Sequence, residues 1–229
     1  MTSVEASLNE LISFPIFAQT PKALILDLCS GARILVSNHR DLLYRFGDEA
    51  TSFGVVLSGA YKLSKPSPLG EDVIVHFSTP GDVIAAFIMA QPKPVYPVSA
   101  TAMGPSRFLR LPRETFVSHW KKNPDLILRI QSLLSTRMNM LQEQKVMARS
   151  PLPQRVAGLL ISLIDKTPGT DELTLPLRLT RREIAENLGS SVEAVIRIMS
   201  DWSKQGLIQT NDQVIQVLRP DKIIDLMHS

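Results

Sequence analysis

Two charged residues near the C-terminus, Glu193 and Arg197, sit four apart. On a helix that spacing stacks a carboxylate and a guanidinium on one face. The pair can be a solvated surface ion pair, or an acceptor and a donor offered together to a polar partner. The residues around it form a framed unit. Thr180 and Glu183 make a capping box, the hydroxyl taking the N3 amide and the carboxylate reaching back. Gly189 ends this first helix as a residue free to take positive φ. Ser190 or Ser191 caps a second helix, and Ser190 with Glu193 repeats the box. Val195, Ile198, Met199 and Trp202 follow at helical spacing and can face a core. A short helix, a glycine turn and a second helix with polar ends is the helix-turn-helix pattern of DNA readers. It is equally the pattern of any well-capped helical hairpin.

No other constellation competes with it. There is no nucleophile elbow, P-loop, HExxH or paired-carboxylate arrangement, so no enzyme is expected and no catalytic residue is assigned. Asp48 and Asp82 are turn residues. The lone cysteine, Cys29, excludes an internal disulfide framework and a four-thiolate metal site. It lies in an apolar stripe and reads as packing. His39, His76, His119 and His228 have no ligating spacing, so no metal is expected. The 229 residues, 44% hydrophobic, suffice for one large or two small domains. No apolar run reaches about 18 residues, so no membrane span is expected. The N-terminus lacks the basic and apolar regions of a signal peptide. A cytoplasmic protein follows from these features. Net charge is +3, yet residues 151–229 hold nine Lys/Arg against ten Asp/Glu, or −1. Any DNA affinity in that half must come from local placement, notably Arg178, Arg181 and Arg182.

The elements that would position the pair can be read in order. Residues 4–14 and 21–30 suggest two short helices separated by Pro15. From Ala32 to Leu111 short β-rich runs alternate with turns, the pattern of an antiparallel barrel or sandwich. Ser58-Gly59 between two runs is a hairpin turn needing positive φ. Asp82–Ala90 interrupts the strands with a helix-capable apolar run, followed by a loop with Pro92, Pro94 and Pro97. That insertion is either a ligand pocket or an ordinary barrel plug. A short helix over 113–119 precedes a long one from Pro124 to about Ala148. Ile127, Ile130, Leu134 and Leu141 form a seam suited to a short two-stranded coiled coil, with Arg137 in one seam position. Leu126, Leu133, Met140 and Met147 form a second stripe. Ser150–Pro153 breaks the helix and reads as a hinge. A helix over 154–166, a loop to Glu172, a strand over 173–179, the framed hairpin, a β-hairpin wing turning at Asn211-Asp212, and a helix over 221–227 complete the chain.

These pieces resemble the Crp/Fnr superfamily of bacterial transcription regulators. The resemblance rests on Tyr44–Asp48, on Val56–Leu63, on Pro80-Gly-Asp82 and, most specifically, on Leu179–Arg197. It covers nearly the whole chain. The fold class it implies is α+β: a cyclic-nucleotide-binding-like β-barrel (jelly roll) over 1–122, a dimerisation helix over 123–149 and a winged helix-turn-helix over 150–229. It implies a homodimer on double-stranded DNA, with Ile127, Ile130, Leu134 and Leu141 at the interface. Glu193 and Arg197 stand where family members read a G·C pair, Arg donating to guanine and Glu accepting from cytosine. Val192 stands where cyclic-AMP-type members have Arg and Fnr-type members have Val. The expected half-site is therefore a TGA core preceded by T. Ile196 replaces a family Ser and would meet a thymine methyl. Ser190, Ser191, Thr180, Arg181 and Arg182 complete the expected DNA surface. The loop Lys166–Glu172 matches the place where family members touch RNA polymerase.

The sensor departs from two family patterns. Cyclic-nucleotide binders use a Gly-Glu pair for the ribose and an Arg-Ser or Arg-Thr pair for the phosphate. Ala85-Ala86 and Tyr96-Pro97 stand there instead, so cyclic AMP binding is not expected. The cysteines of oxygen-sensing Fnr proteins are also missing. An apolar effector pocket lined by Ile84, Phe87, Ile88, Met89 and Tyr96 is the expectation. The Pro94–Ala102 run is similar to nitric-oxide-responsive, haem-binding members, which makes haem a candidate cofactor and His76 the histidine to test. A ligand-binding dimer without DNA activity is the remaining alternative.

Overall fold

The computed structural model describes residues 4, 7–68, 70, 72–164 and 173–228, with Pro176 and His228 described by backbone alone. The loop Lys166–Glu172 lies outside the described residues. The chain forms two units, Met1–Lys65 with Phe77–Met138, and Pro66–His76 with Asn139–Ser229.

The first unit opens with α1 (Leu8–Ile12), a 3-10 turn (Pro15–Phe17) and α2 (Lys22–Leu28). Strands follow as β1 (Arg33–Ser37), β2 (Leu42–Tyr44), β3 (Ser52–Ser58), β4 (Tyr61–Pro66), β5 (Asp72–Ser78), β6 (Val83–Ile84), β7 (Ser99–Ala102) and β8 (Ser106–Pro112). They make two four-stranded sheets, in the orders β1-β8-β3-β6 and β2-β7-β4-β5. Each expected β-run is present. Gly59 turns the β3–β4 hairpin at φ +73°, and a Cβ there would stand 2.3 Å from Ser106 Oγ. Only glycine fits.

The run 82–90 is not the helix that its apolar content suggests. Val83 and Ile84 pair with Val55 and Gly54 as a short edge strand. Ala85 then takes a left-handed φ of +67°, and a single 3-10 turn covers Ala86–Ile88. Two β-branched or β-favouring residues beside an open strand edge outcompete helix propensity, and a left-handed residue breaks any helix.

Helices α3 (Arg113–Ser118) and α4 (Pro124–Met147) follow the barrel. Trp120, between them, is fully buried. Its indole donates to the Leu28 carbonyl at 2.8 Å, and its ring meets Phe53 edge-on at 4.9 Å. One side chain thus ties α2 and β3 to the start of α4. On α4, Ile130 is buried and Ile127 partly so, both against the core of the first unit. Leu134 and Leu141 are 38% and 43% exposed, with Met138 between them at 56%. Arg137 is half-buried and lies near the Asp82 carboxylate. Burial lowers the pKa of the guanidinium while that carboxylate raises it. This accounts for an arginine in an apolar seam: it serves the first unit.

The second unit holds α5 (Leu152–Leu163), β9 (Leu173–Arg178), α6 (Arg181–Leu188), α7 (Val192–Lys204), β10 (Ile208–Asn211), β11 (Val214–Val217) and α8 (Pro220–His228). The strands form an antiparallel sheet in the order β10-β11-β9. The β10–β11 turn centres on Asp212 and Gln213, both with positive φ (47° and 65°), one residue later than the sequence indicates. That is the mirror-image turn whose twist suits a two-residue hairpin.

Cys29 is 5% exposed, and burial pushes its thiol up to about 12. It therefore stays protonated and inert. Native protein at about pH 8 should resist a thiol reagent such as DTNB and react only after unfolding. Stoichiometric labelling of the native chain would contradict this.

Candidate nucleic-acid interface

The hairpin α6–α7 is held at each joint by a backbone group that has found a partner. Thr180 Oγ1 accepts the Glu183 amide at 3.1 Å, and Glu183 Oε2 accepts the Thr180 amide at 3.0 Å. The Thr180 hydroxyl also donates to Glu183 Oε2 at 2.8 Å. This is the complete capping box that the sequence indicates. Gly189 takes φ +57°, and the Ser190 amide closes back on the Ala185 carbonyl at 2.9 Å.

The second cap differs from one expectation. Ser191 is the N-cap, its Oγ accepting the Ala194 amide at 3.3 Å. Three residues after Ser191 stands Ala194, so no second capping box forms. Glu193 is thereby left out of the capping arrangement and stays exposed. Val195, Met199 and Trp202 are buried on the inner face of α7. With that face fixed, Glu193, Ile196 and Arg197 must point outward; Ile196 is 46% exposed. Glu193 and Arg197 make no ion pair with each other or with any described residue. The i,i+4 clamp that their spacing permits is not formed, as befits an exposed pair worth about 0–1 kcal/mol. Val192 is half-buried at the first turn. The amino-terminal end of α7 carries the positive end of the helix dipole, which favours an anion there.

The three other arginines singled out in the sequence are all engaged. Arg178 Nη1 pairs with Asp212 Oδ2 at 2.7 Å. Arg181 Nη2 donates to Thr210 Oγ1 at 2.9 Å, and burial lowers its pKa. Arg182 Nε pairs with Glu186 at 3.0 Å, largely in solvent. Arg178 and Arg181 therefore fix the wing against β9 and α6, while Arg197, on the exposed face of α7, makes no ion pair among the described residues. Sequence spacing gave no sign of Thr210 or Asp212, because their partners lie about thirty residues away in the chain.

In the first unit the expected pocket residues, Phe87 apart, are packed. Ile84, Ile88, Met89 and Tyr96 are each at most 5% exposed, whereas Phe87 is 45% exposed. Tyr96 stacks on Tyr44 with centroids 4.2 Å apart. Its hydroxyl donates to the Ser52 carbonyl at 2.8 Å and accepts the Ser52 amide at 3.2 Å. Arg110 Nε donates to Ser52 Oγ at 2.8 Å, which completes a network internal to the barrel. Ala86 is 2% exposed. Among the described residues no cluster of three or more His, Cys, Asp or Glu could hold a metal ion, and no helix is long and apolar enough to cross a membrane.

Two family models match the chain: a Crp-like helix-turn-helix domain over 154–226 and a cyclic nucleotide-binding domain over 38–123. The transcriptional activator protein anr of Pseudomonas aeruginosa is 26% identical over 181 residues, covering 78% of this chain and 73% of that protein. The nitrogen fixation regulation protein FixK of Bradyrhizobium diazoefficiens is 27% identical over 180 residues, 77% and 74% of the two chains. Among solved structures, FixK2 from Bradyrhizobium japonicum superposes with a TM-score of 0.72 at 19% identity, over 85% of this chain and 96% of that one. A CRP/FNR-family regulator from Thermus thermophilus gives 0.64 at 19% identity, over 86% and 99%. These likenesses establish the fold.

The capping geometry carries a stability test. Thr180→Ala removes both the acceptor for the Glu183 amide and a donor to its carboxylate, and should cost about 1 kcal/mol in urea or thermal unfolding of the second unit. Thr180→Ser should keep most of it. Equal stability of Thr180→Ala and the parent would mean that α6 does not depend on this cap.

Proposed function

The chain belongs to the Crp/Fnr superfamily of DNA-binding transcription regulators, and we propose that it reads a TGA/TCA inverted repeat as a homodimer through Glu193 and Arg197. One observation carries the reading. Glu193 and Arg197 are exposed, free of ion pairs among the described residues, and one helical turn apart on a helix whose other face is buried. Arg197 donates in bidentate fashion to guanine O6 and N7, and Glu193 accepts from the cytosine amino group. Val192 offers no donor for a further guanine, so the base before the TGA core is T. Ile196 meets a thymine methyl. Thr180, Ser190 and Ser191 approach the phosphates with the α7 amino end, and Arg182 joins them once it exchanges Glu186 for phosphate. Arg181 acts by holding the wing.

The proposed domain division is a sensor over 1–122, a dimerisation helix over 123–149 and a winged helix-turn-helix over 150–229. The exposed Leu134 and Leu141 support α4 as the dimer seam, with Ile127 and Ile130 anchoring it to the sensor. RNA polymerase is the proposed partner of the loop 166–172. The protein works where its DNA is, in the cytoplasm.

The effector is a molecule other than cyclic AMP. A cyclic phosphate needs a cation and free backbone donors. Tyr96 instead closes its hydroxyl on Ser52, and Pro97 has no amide to give.

Gel shifts on TGA/TCA inverted repeats test the reader. Glu193→Ala and Arg197→Ala should each lose about 1–3 kcal/mol of discrimination, roughly 5-fold to 150-fold, at the contacted base pair. Undiminished preference for TGA in both variants would overturn the assignment. Calorimetric titration with cyclic AMP should give no saturable heat up to about 1 mM, which is weaker than about −4 kcal/mol of binding. Saturation at micromolar concentration would refute the sensor reading.

A further inference from the structure

A cavity of about 420 Å³ opens within the second unit. Its apolar walls are Met140 and Met147 of α4, Leu159 of α5, Leu188 of α6, Met227 of α8 and Val73 of β5. The volume lies in the range of small-molecule sites. Three methionines give walls that can adapt to an occupant's shape.

The floor of the cavity is Gly158, in the interior of α5. A glycine there costs the helix about 1 kcal/mol against alanine. Neither backbone nor crowding requires it. Gly158 has no positive φ, and a Cβ at this position would meet only Met147 Cε, at an ordinary 3.9 Å. What its missing side chain leaves is the open volume above it.

Arg155 lines the same cavity one turn earlier on α5 and is half-buried. Its guanidinium makes no hydrogen bond or ion pair among the described residues. Neither carboxylate of the rim forms an ion pair with it: Glu186 is held by Arg182 at 3.0 Å, and Glu143 is exposed with no ion pair among the described residues. A half-buried cation beside an apolar chamber fits a ligand with an apolar body and one anionic head.

We propose that this cavity is a binding site for a small amphipathic acid, its body among the methionines and its head on Arg155. The ligand would touch Leu188 and Gly189, the residues that lead from α6 into α7. The site is distinct from the barrel interior and does not depend on the assignment of Glu193 and Arg197. Loss of one reading leaves the other standing.

The test uses the full chain and two probes. 8-Anilinonaphthalene-1-sulfonate, an aromatic body with one sulfonate, reports occupancy by fluorescence. Decanoate competes with it, and decanol serves as the neutral control. One saturable probe site per chain, displaced by decanoate more tightly than by decanol, is the expected result. Gly158→Leu, which fills the chamber, should weaken the probe by about tenfold or more with an unchanged circular-dichroism spectrum. Arg155→Gln should weaken decanoate about tenfold and leave decanol unaffected, as expected for loss of a charge-assisted hydrogen bond. Should Gly158→Leu fail to fold, Met140→Trp fills the chamber from the opposite wall and is read in its place. Unchanged probe affinity in the filled variant, no saturable site in the parent, or equal displacement by decanoate and decanol would each overturn the proposal.

Discussion

Burial of Val195, Met199 and Trp202 fixes the rotation of α7 about its own axis, and the chemistry that its opposite face presents follows from that rotation. A helix with three core residues on one side has no freedom in what its opposite side presents. Trp202 and Met199 are each 4% or less exposed, so a turn of the helix would drag large apolar groups into water. Burial of that size outweighs anything a surface carboxylate and guanidinium could gain from each other. The absence of an ion pair between Glu193 and Arg197 is consistent with this balance. The helix is positioned by its core, and the two charges are carried along, unspent.

Much of the α6–α7 hairpin was legible in the sequence because its signals are local. Thr180-Glu183, Gly189 and the period of Val195, Met199 and Trp202 all act within a turn or two of chain. The exact cap of α7 was not, since choosing Ser191 over Ser190 shifts the boundary by one residue, below what spacing can resolve. The engagement of Arg178 with Asp212 and of Arg181 with Thr210 was also hidden. Those contacts join residues brought together across the β10-β11-β9 sheet, not along the chain. A count of basic side chains overstates the available charge for the same reason.

The first unit shows the converse. Alternation and turn residues announced the strands, whereas the segment 82–90 misled because an apolar run of mixed propensity has no local instruction to choose helix over edge strand. The four seam residues of α4 divide between two duties: Ile127 and Ile130 belong to the core of the first unit, and Leu134 and Leu141 remain exposed. Periodicity records that a face is apolar without recording what covers it. Asp82 belongs to the same lesson. It accepts the Thr79 amide at 2.8 Å as a turn residue should. It is also buried enough that its pKa is raised, with Arg137 opposing the shift.

Ala85 holds a further implication. Its backbone sits in the left-handed region that glycine occupies without cost, although the residue carries a methyl. At this position the main chain takes a glycine-like conformation under an alanine side chain. Tyr96 differs in kind, since its ring and hydroxyl are woven into Tyr44 and Ser52. The two positions are therefore embedded to different depths. A side chain could be exchanged at the Ala85 turn by changing atoms at its tip, whereas exchanging Tyr96 would break contacts that hold the barrel core together.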